Sequence, residues 1–259
     1  MRQRASLNCQ KQIKKLLKKQ RKESQLSQME NIHFQIEHIP AILLGEAADK
    51  IYLFVHGKCG NKEEAEHFAE IVSPKGWQVL SIDLPEHGER GFEKGTFDPW
   101  HVVPELQSIM LYLKPRWKKI GLRANSIGAW FCILAYDDEA FENCLFVSPI
   151  LDMERLIRDM MKQACVSEEL LQQKQEIKTD FGETLSWKYL TYVKEHPIMK
   201  WDSPTEILYA GNDNLTKRCA VDDFCARFHS NLSVMENGEH WFHTQEQLAF
   251  LEMWTNNHT

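Results

Sequence analysis

The fold is decided by one stretch of the sequence, Lys119-Ile-Gly-Leu-Arg-Ala-Asn-Ser126-Ile-Gly128-Ala-Trp-Phe-Cys-Ile-Leu134, in which an apolar strand runs into an apolar helix through a single serine. No loop separates the two elements, so Ser126 lies on a sharp turn that exposes its Oγ at the positive end of a helix. Such a turn needs small residues two positions before and two positions after the serine, and Ala124 and Gly128 occupy them. The pattern indicates a nucleophilic serine, and its structural alternative is an ordinary helix N-cap.

Short apolar strands alternate with helical segments on both sides of this stretch. The pattern predicts a strand that begins at Asn31 and ends at Pro40, further strands at 41–45, 51–55, 77–82, 119–124, 144–148, 206–210 and 232–236, and helices at about 62–73, 100–115, 127–137, 216–229 and 244–256. Such alternation is typical of a mostly parallel sheet that is covered by helices on both faces. The predicted fold class is therefore α/β.

Two segments stand apart from this alternation. Residues from about 150 to 200 show helical periodicity and no convincing strand, which predicts a helical insertion. Residues 1–30 carry nine basic and two acidic side chains and few large aliphatic ones. We interpret them as a basic, flexible extension of a single domain at 31–259. The alternatives for this extension are a membrane-surface or nucleic-acid arm, a targeting helix, and a protein that begins at Met29.

Charge and composition exclude several classes of partner. The formal net charge of the 259 residues is −6, and because residues 1–30 contribute +7, the rest of the chain carries −13. An acidic body disfavours nucleic acid, since phosphate contacts need clustered Lys and Arg. No apolar run approaches the roughly 18 residues of a membrane-spanning helix, so we expect no stable membrane insertion. Seven scattered cysteines without a C-x-x-C pair, and no apolar secretory signal, are typical of a cytoplasmic protein.

Two later strands end in residues that complete the chemistry of a catalytic serine. A serine hydroxyl needs a base to take its proton, and an imidazole base needs a carboxylate to orient it. Asp213 follows the strand at 206–210, and His240 follows the strand at 232–236. Because carboxyl ends of parallel strands meet at one edge of a sheet, we expect both side chains near Ser126. Alone, Asp213 is equally typical of a turn and His240 of a surface loop. Together the three residues predict a Ser-His-Asp triad.

The loop after the strand at 51–55 reads His56-Gly57-Lys58-Cys59-Gly60. Acyl transfer needs two N–H donors directed at the developing oxyanion, one from the residue after the nucleophile and one from the loop after the third strand. Ile127 and Lys58 occupy these positions, so their backbone N–H groups are the predicted oxyanion hole. A phosphate-binding loop is the alternative, but the spacing and the Lys-Ser or Lys-Thr pair of such loops are absent.

These features resemble a single-domain serine hydrolase of the α/β-hydrolase superfamily over residues 32–256. The resemblance rests on the order serine, acid, histidine, on the His-Gly pair after the third strand, and on the segment Asp83-Leu-Pro-Glu-His-Gly88 after the fourth. That segment typically reads D-x-x-G-H-G, and here Glu86 replaces its first glycine. We interpret Asp83 and His87 as structural. The resemblance also implies that the insertion is a helical cap over the active site.

The function that the triad and the resemblance imply is hydrolysis of a carboxylic ester, or of a related thioester or amide, through an acyl-enzyme. The expected partner is a small molecule with an apolar portion. Several insertion residues are typical of an acyl pocket or, alternatively, of a hydrophobic core: Met153, Met160, Met161, Trp187 and Trp201. No cofactor or metal is implied, because His240 and His243 lack a carboxylate at metal-site spacing. An acyltransferase or lyase on the same scaffold and a non-catalytic binding protein are the alternatives; the oligomeric state is left open.

Overall fold

The computed structural model describes residues 31–259, so the basic extension predicted at 1–30 lies outside the described residues. The strands are β1 (Asn31–Ile36), β2 (Ile39–Leu44), β3 (Lys50–Val55), β4 (Gln78–Ile82), β5 (Lys119–Asn125), β6 (Cys144–Val147), β7 (Glu176–Lys178), β8 (Thr184–Ser186), β9 (Thr205–Ala210) and β10 (Asn231–Met235). The helices are α1 (Ala65–Val72), α2 (Pro99–Leu113), α3 (Ile127–Ala135), α4 (Met153–Gln163), α5 (Glu168–Lys174), α6 (Trp187–Glu195), α7 (Arg218–Phe228) and α8 (Gln245–His258). Short 3-10 turns lie at Lys62–Glu64, Ser73–Lys75 and Gly88–Arg90.

Eight of the described strands form the central sheet, in the order β1-β2-β4-β3-β5-β6-β9-β10. The second strand is antiparallel to both neighbours, and all pairs from β4 to β10 are parallel. Side chains alternate between two cores, so Leu53 packs on the face that α2, α3 and α7 cover, while Tyr52 and Phe54 pack on the face that α1 and α8 cover. The predicted α/β class, with a mostly parallel sheet and helices on both faces, is confirmed.

The first hairpin differs from the prediction. Pro40 lies within β2, whereas the sequence predicted that it ends the first strand. The chain reverses earlier, at Glu37, which has a φ of 57°. Pro40 pairs with Gln35, and its carbonyl oxygen accepts a hydrogen bond from the Asp83 N–H at 3.0 Å. A proline fits near the start of a strand because it interrupts the hydrogen-bond ladder least there.

The chain between β6 and β9 forms the insertion, which contains α4, α5, a β7–β8 hairpin and α6. The prediction of no strand here was wrong. Each hairpin strand has three residues and a single apolar one, Ile177 or Leu185, so the sequence contains no readable alternation. Met153, Met161 and Trp201 of the insertion are buried in the hydrophobic core. Within residues 31–259, no helix has the length and apolar character needed to cross a bilayer.

Candidate active site

Ser126 lies between β5 and α3 in a backbone conformation that favours glycine, with φ 51° and ψ −124°. The backbone around it is tightly packed. A Cβ added to Gly57 would lie 3.0 Å from the Ser126 Cβ, and a Cβ added to Gly128 would lie 2.4 Å from the His56 carbonyl oxygen. The Ser126 N–H donates to the Val147 carbonyl oxygen at 3.0 Å, which joins the turn to β6. The close approach of these two backbone segments, at residues 56–57 and 126–128, explains why the turn needs small residues around the serine.

Three of the predicted site residues meet in one hydrogen-bonded chain. Ser126 Oγ lies 2.8 Å from His240 Nε2, and His240 Nδ1 lies 2.7 Å from Asp213 Oδ2. The Asp213 side chain has no exposed surface, whereas the His240 side chain is 14% exposed. Since an ionised carboxylate only accepts, Nδ1 must donate to Asp213, which leaves Nε2 free to accept the Ser126 hydroxyl proton.

The loop after β9 fixes the orientation of Asp213. Its Oδ1 accepts hydrogen bonds from the N–H groups of Leu215 at 2.8 Å and Thr216 at 2.9 Å. These two bonds occupy one carboxylate oxygen, so the other oxygen faces His240. The aspartate therefore presents one oxygen to the imidazole in a single orientation.

The loops after β9 and β10, which carry the acid and the histidine, are in direct backbone contact. The Asn212 N–H donates to the Gly238 carbonyl oxygen at 2.9 Å. A Cβ added to Gly211 would lie only 2.2 Å from the Glu236 carbonyl oxygen. The separation of these two loops is thus set by backbone packing and not by long side chains.

The loop after β3, which contains Lys58, passes next to the serine at Gly57. A turn over residues 57–60 is closed by a hydrogen bond from the Gly60 N–H to the Gly57 carbonyl oxygen at 3.1 Å. Cys59 in this turn has a φ of 66°. Among residues 31–259, neither the Lys58 N–H nor the Ile127 N–H donates to another group. Both N–H groups therefore remain available, and their role as oxyanion donors stays a prediction.

Two buried histidines join this loop to the loop after β4. His56 Nε2 accepts a hydrogen bond from the Leu84 N–H at 3.1 Å, and His87 Nε2 accepts one from the Cys59 N–H at 2.9 Å. The Nδ1 atoms lie 2.7 Å and 2.8 Å from backbone carbonyl oxygens, to which they donate. A ring that accepts at one nitrogen and donates at the other is neutral. Sequence analysis did not predict these bonds; the signal that it contained is the pair of His-Gly dipeptides at 56–57 and 87–88.

We expect the folded protein to lose stability as the pH falls from about 6.5 towards 4. Burial lowers the pKa of His56 from 6.5 to about 4, because the charged ring cannot be hydrated. The unfolded chain takes up this proton near pH 6.5, so the stability that His56 provides is complete above that pH and is lost below it. The linked loss is about 2 to 3 kcal/mol at pH 4.5, and chemical denaturation at pH 7.5 and pH 4.5 measures it.

The variant His56→Gln is the control for this pH dependence. Glutamine keeps an acceptor for the Leu84 N–H but does not titrate. We expect the variant to lose about 2 to 3 kcal/mol less than the wild type between the two pH values. Equal losses in both proteins would show that other groups cause the acid sensitivity.

The segment after β4 contains a strained glutamate at the position where the family pattern has glycine. Glu86 has a φ of 66°, a region that favours glycine. Its carboxylate accepts hydrogen bonds from the N–H groups of Thr96 at 2.7 Å and Phe97 at 3.1 Å, which a glycine could not do. The side chain of Asp83 is fully buried and accepts a hydrogen bond from Lys62 Nζ at 2.9 Å. Both acids therefore make contacts that hold the loops together.

The insertion contacts both the loop of Lys58 and the helix that follows the serine. Glu183, in the turn of the β7–β8 hairpin, forms an ion pair with Lys58 Nζ. Tyr189 of α6 stacks on Trp130 of α3, with ring centroids 6.0 Å apart. Two cavities of about 450 and 490 Å³ adjoin the insertion, and the triad lines neither of them.

The histidine pair that could suggest a metal site has other partners. His243 Nδ1 lies 2.7 Å from the Trp241 carbonyl oxygen, and His240 contacts Ser126 and Asp213. In the part of the chain that the structure describes, no group of three or more His, Cys, Asp or Glu side chains is arranged to hold a metal ion.

Comparison with known proteins gives matches in structure only. No protein-family model matches the chain, and no curated protein sequence matches it either. Est1E from Butyrivibrio proteoclasticus, solved with ferulic acid bound, matches with a TM-score of 0.68 and 16% identity over 87% of this chain and 96% of its own. The Pyrococcus furiosus esterase PF2001 matches with a TM-score of 0.62 and 21% identity over 91% and 90% of the two chains. Mouse alpha/beta hydrolase domain-containing protein 10 matches with a TM-score of 0.66 and 13% identity over 88% and 97%.

These likenesses extend over nearly the whole of each chain. At such low sequence identity they concern the arrangement of strands and helices. The resemblance predicted from the sequence is confirmed at this level, and the chain has the α/β-hydrolase fold.

Proposed function

We propose that the protein is a serine hydrolase that cleaves a carboxylic ester, or a related thioester or amide. The observation that carries this proposal is the hydrogen-bonded chain from Ser126 through His240 to Asp213, with contacts of 2.8 and 2.7 Å. An N-cap serine, the structural alternative, accepts a hydrogen bond from the first turn of its helix. The Ser126 side chain makes no such bond with α3 and contacts His240 instead.

The proposed reaction has two steps, each through a tetrahedral intermediate. Ser126 Oγ forms a bond to the substrate carbonyl carbon while its proton passes to His240 Nε2, and the carbonyl π electrons move to oxygen. The N–H groups of Lys58 and Ile127 donate to this oxyanion. The intermediate collapses, the leaving alcohol takes the proton from the imidazole, and an acyl-enzyme remains. Water then gives a proton to His240 and attacks the acyl carbon; the serine leaves with that proton, and the acid is released.

The proposed substrate is a small molecule with an apolar portion. Support comes from the structural neighbours, which include a protein named as an esterase and one structure that contains ferulic acid. The proposed place of action is the cytoplasm, which the free thiols of the described residues support: Cys59, Cys132, Cys144, Cys165, Cys219 and Cys225.

We further propose that the insertion at about 150–200 acts as a cap over the active site of a domain at 31–259. Its ion pair between Glu183 and Lys58 and its stacking of Tyr189 on Trp130 support this role. The ion pair is exposed on both sides, so it contributes at most about 1 kcal/mol. A contact this weak allows the hairpin to move away when substrate enters.

The test of the proposed function is covalent labelling with a fluorophosphonate probe, followed by intact mass measurement. We expect one adduct on the wild type and none on Ser126→Ala, because only an activated serine attacks the phosphorus. The matched control is Ser167→Ala, which removes the N-cap serine of α5 and should be labelled like the wild type.

A folded wild type that takes up no probe would contradict the proposal. Equal labelling of Ser126→Ala and the wild type would place the nucleophile elsewhere. Hydrolysis of p-nitrophenyl esters of increasing chain length by unlabelled wild-type protein then defines the acyl preference.

A further inference from the structure

The loops after β3 and β4 are joined by two histidines in a reciprocal way. His56 belongs to the first loop and accepts a hydrogen bond from the Leu84 N–H of the second. His87 belongs to the second loop and accepts a hydrogen bond from the Cys59 N–H of the first. The two rings lie with centroids 5.2 Å apart, and both side chains are buried. We call this pair the histidine brace.

The bond to Cys59 acts on the peptide next to the predicted oxyanion donor. Peptide groups are planar, so the peptides before and after Lys58 are joined only through the φ and ψ of that residue. His87 fixes the second of these peptides through its N–H. The turn bond from the Gly60 N–H to the Gly57 carbonyl oxygen closes the loop around Lys58. With both ends held, the Lys58 N–H keeps one direction.

The brace also determines the position of the loop relative to Ser126. His56 is the first residue after β3, and its backbone carbonyl packs against Gly128, where an added Cβ would lie 2.4 Å from the oxygen. Its ring bond to the Leu84 N–H holds this residue against the loop after β4. A second tie, from Lys62 to Asp83, joins the same two loops away from the turn over residues 57–60. The two loops can therefore stay together without the brace, while the direction of the Lys58 N–H depends on it.

From these contacts we propose that His56 and His87 are positioning residues, which act by accepting backbone N–H bonds so that the Lys58 N–H is directed at the oxyanion. The proposal rests on the proposed function of Ser126. A positioning role of these histidines differs from a packing role in one respect. Positioning requires an acceptor atom at Nε2, whereas packing requires only a ring of the right size. Phenylalanine preserves the ring, and glutamine preserves an acceptor.

The experiment compares His87→Phe with His87→Gln, using the fluorophosphonate probe to count active sites. In His87→Phe the contacts of the ring with Phe97, now 4.5 Å between centroids, are retained while the acceptor is lost. We expect kcat per labelled site to fall between about 10- and 100-fold, because small misplacement of a catalytic group has effects of this size. KM should change by less than about threefold, since the oxyanion bond is made mainly in the transition state. His87→Gln should recover kcat to within about fivefold of the wild type.

A second readout does not depend on catalysis. Amide hydrogen exchange of the segment that contains Cys59 should become faster in His87→Phe and stay close to the wild type in His87→Gln. The matched control is His67→Phe on α1, an exposed histidine that should leave kcat and exchange unchanged.

Three results would overturn the proposal. Equal kcat in His87→Phe and His87→Gln would show that the ring packs but does not position. Unchanged exchange at Cys59 in a folded His87→Phe would show that the bond does not hold the loop. A lowered melting temperature of His87→Phe with wild-type kcat per labelled site would show that the brace stabilises the fold without directing the Lys58 N–H. A wild type that neither takes up the probe nor hydrolyses esters would refute the proposed function, while the exchange measurement would still decide whether the brace exists.

Discussion

Asp213→Asn should fold like the wild type and lose about 10⁴-fold in kcat. The side-chain oxygen of the new asparagine must accept the two N–H bonds of Leu215 and Thr216, because its NH₂ group cannot. The NH₂ group then faces His240 Nδ1, at the site where the carboxylate lies 2.7 Å away. A donor in that place moves the imidazole proton to Nε2, which can no longer take the proton of Ser126. Steady-state hydrolysis of an activated ester measures the loss.

The control for this variant is Asp222→Asn on α7. Asp222 is an exposed carboxylate that pairs with Arg218, and we expect turnover within about twofold of the wild type. The melting temperatures of both variants should stay close to that of the wild type. Near-normal turnover of Asp213→Asn would show that a different carboxylate orients the histidine.

Gly128→Ala is expected to lower both the stability and the activity of the protein. Its new Cβ would lie 2.4 Å from the His56 carbonyl oxygen and 3.0 Å from that of Val55, and backbone atoms cannot move away as a flexible side chain can. The end of β3 must shift, and the loop of Lys58 shifts with it. We expect a loss of about 3 kcal/mol in the free energy of unfolding. A fall of about 100-fold in kcat should accompany it.

Gly91→Ala is the matched control in the neighbouring loop. Gly91 has a φ of −59°, and its added Cβ would meet the nearest oxygen at 3.4 Å. The free energy of unfolding should be unchanged or rise by about 0.5 kcal/mol. Urea denaturation of the two variants side by side provides the comparison, and a Gly128→Ala protein as stable and active as Gly91→Ala would contradict the packing described for the turn at Ser126.

Much of the fold could be predicted from the sequence because its strands are strongly apolar. The strand at 51–55 and the strand before Ser126 contain signals that do not depend on distant parts of the chain. The three residues of the triad could be proposed for a related reason, because each follows a strand at its carboxyl end. Topology then collects them at one edge of the sheet without any knowledge of side-chain contacts.

The features that escaped prediction depend on contacts between segments that are distant in sequence. The histidine bonds of His56 and His87 join residues 28 positions apart, and nothing local specifies them. The β7–β8 hairpin is too short for its alternation to be read. Glu86 departs from the family pattern and has a backbone conformation that glycine would adopt without strain. Only the structure shows that two backbone N–H groups donate to its carboxylate and so offset that strain.

The insertion leaves the sheet after β6 and returns at β9, and these two strands are direct neighbours in the sheet, with Val147 opposite Leu208. Its two ends therefore lie side by side on paired strands. Such a junction tolerates large changes of length, because the entropy of closing a loop grows slowly with the number of residues in it. An engineered protein can therefore carry a shorter or longer segment at this junction, and under the proposed role of a cap such a change would alter which molecules reach Ser126.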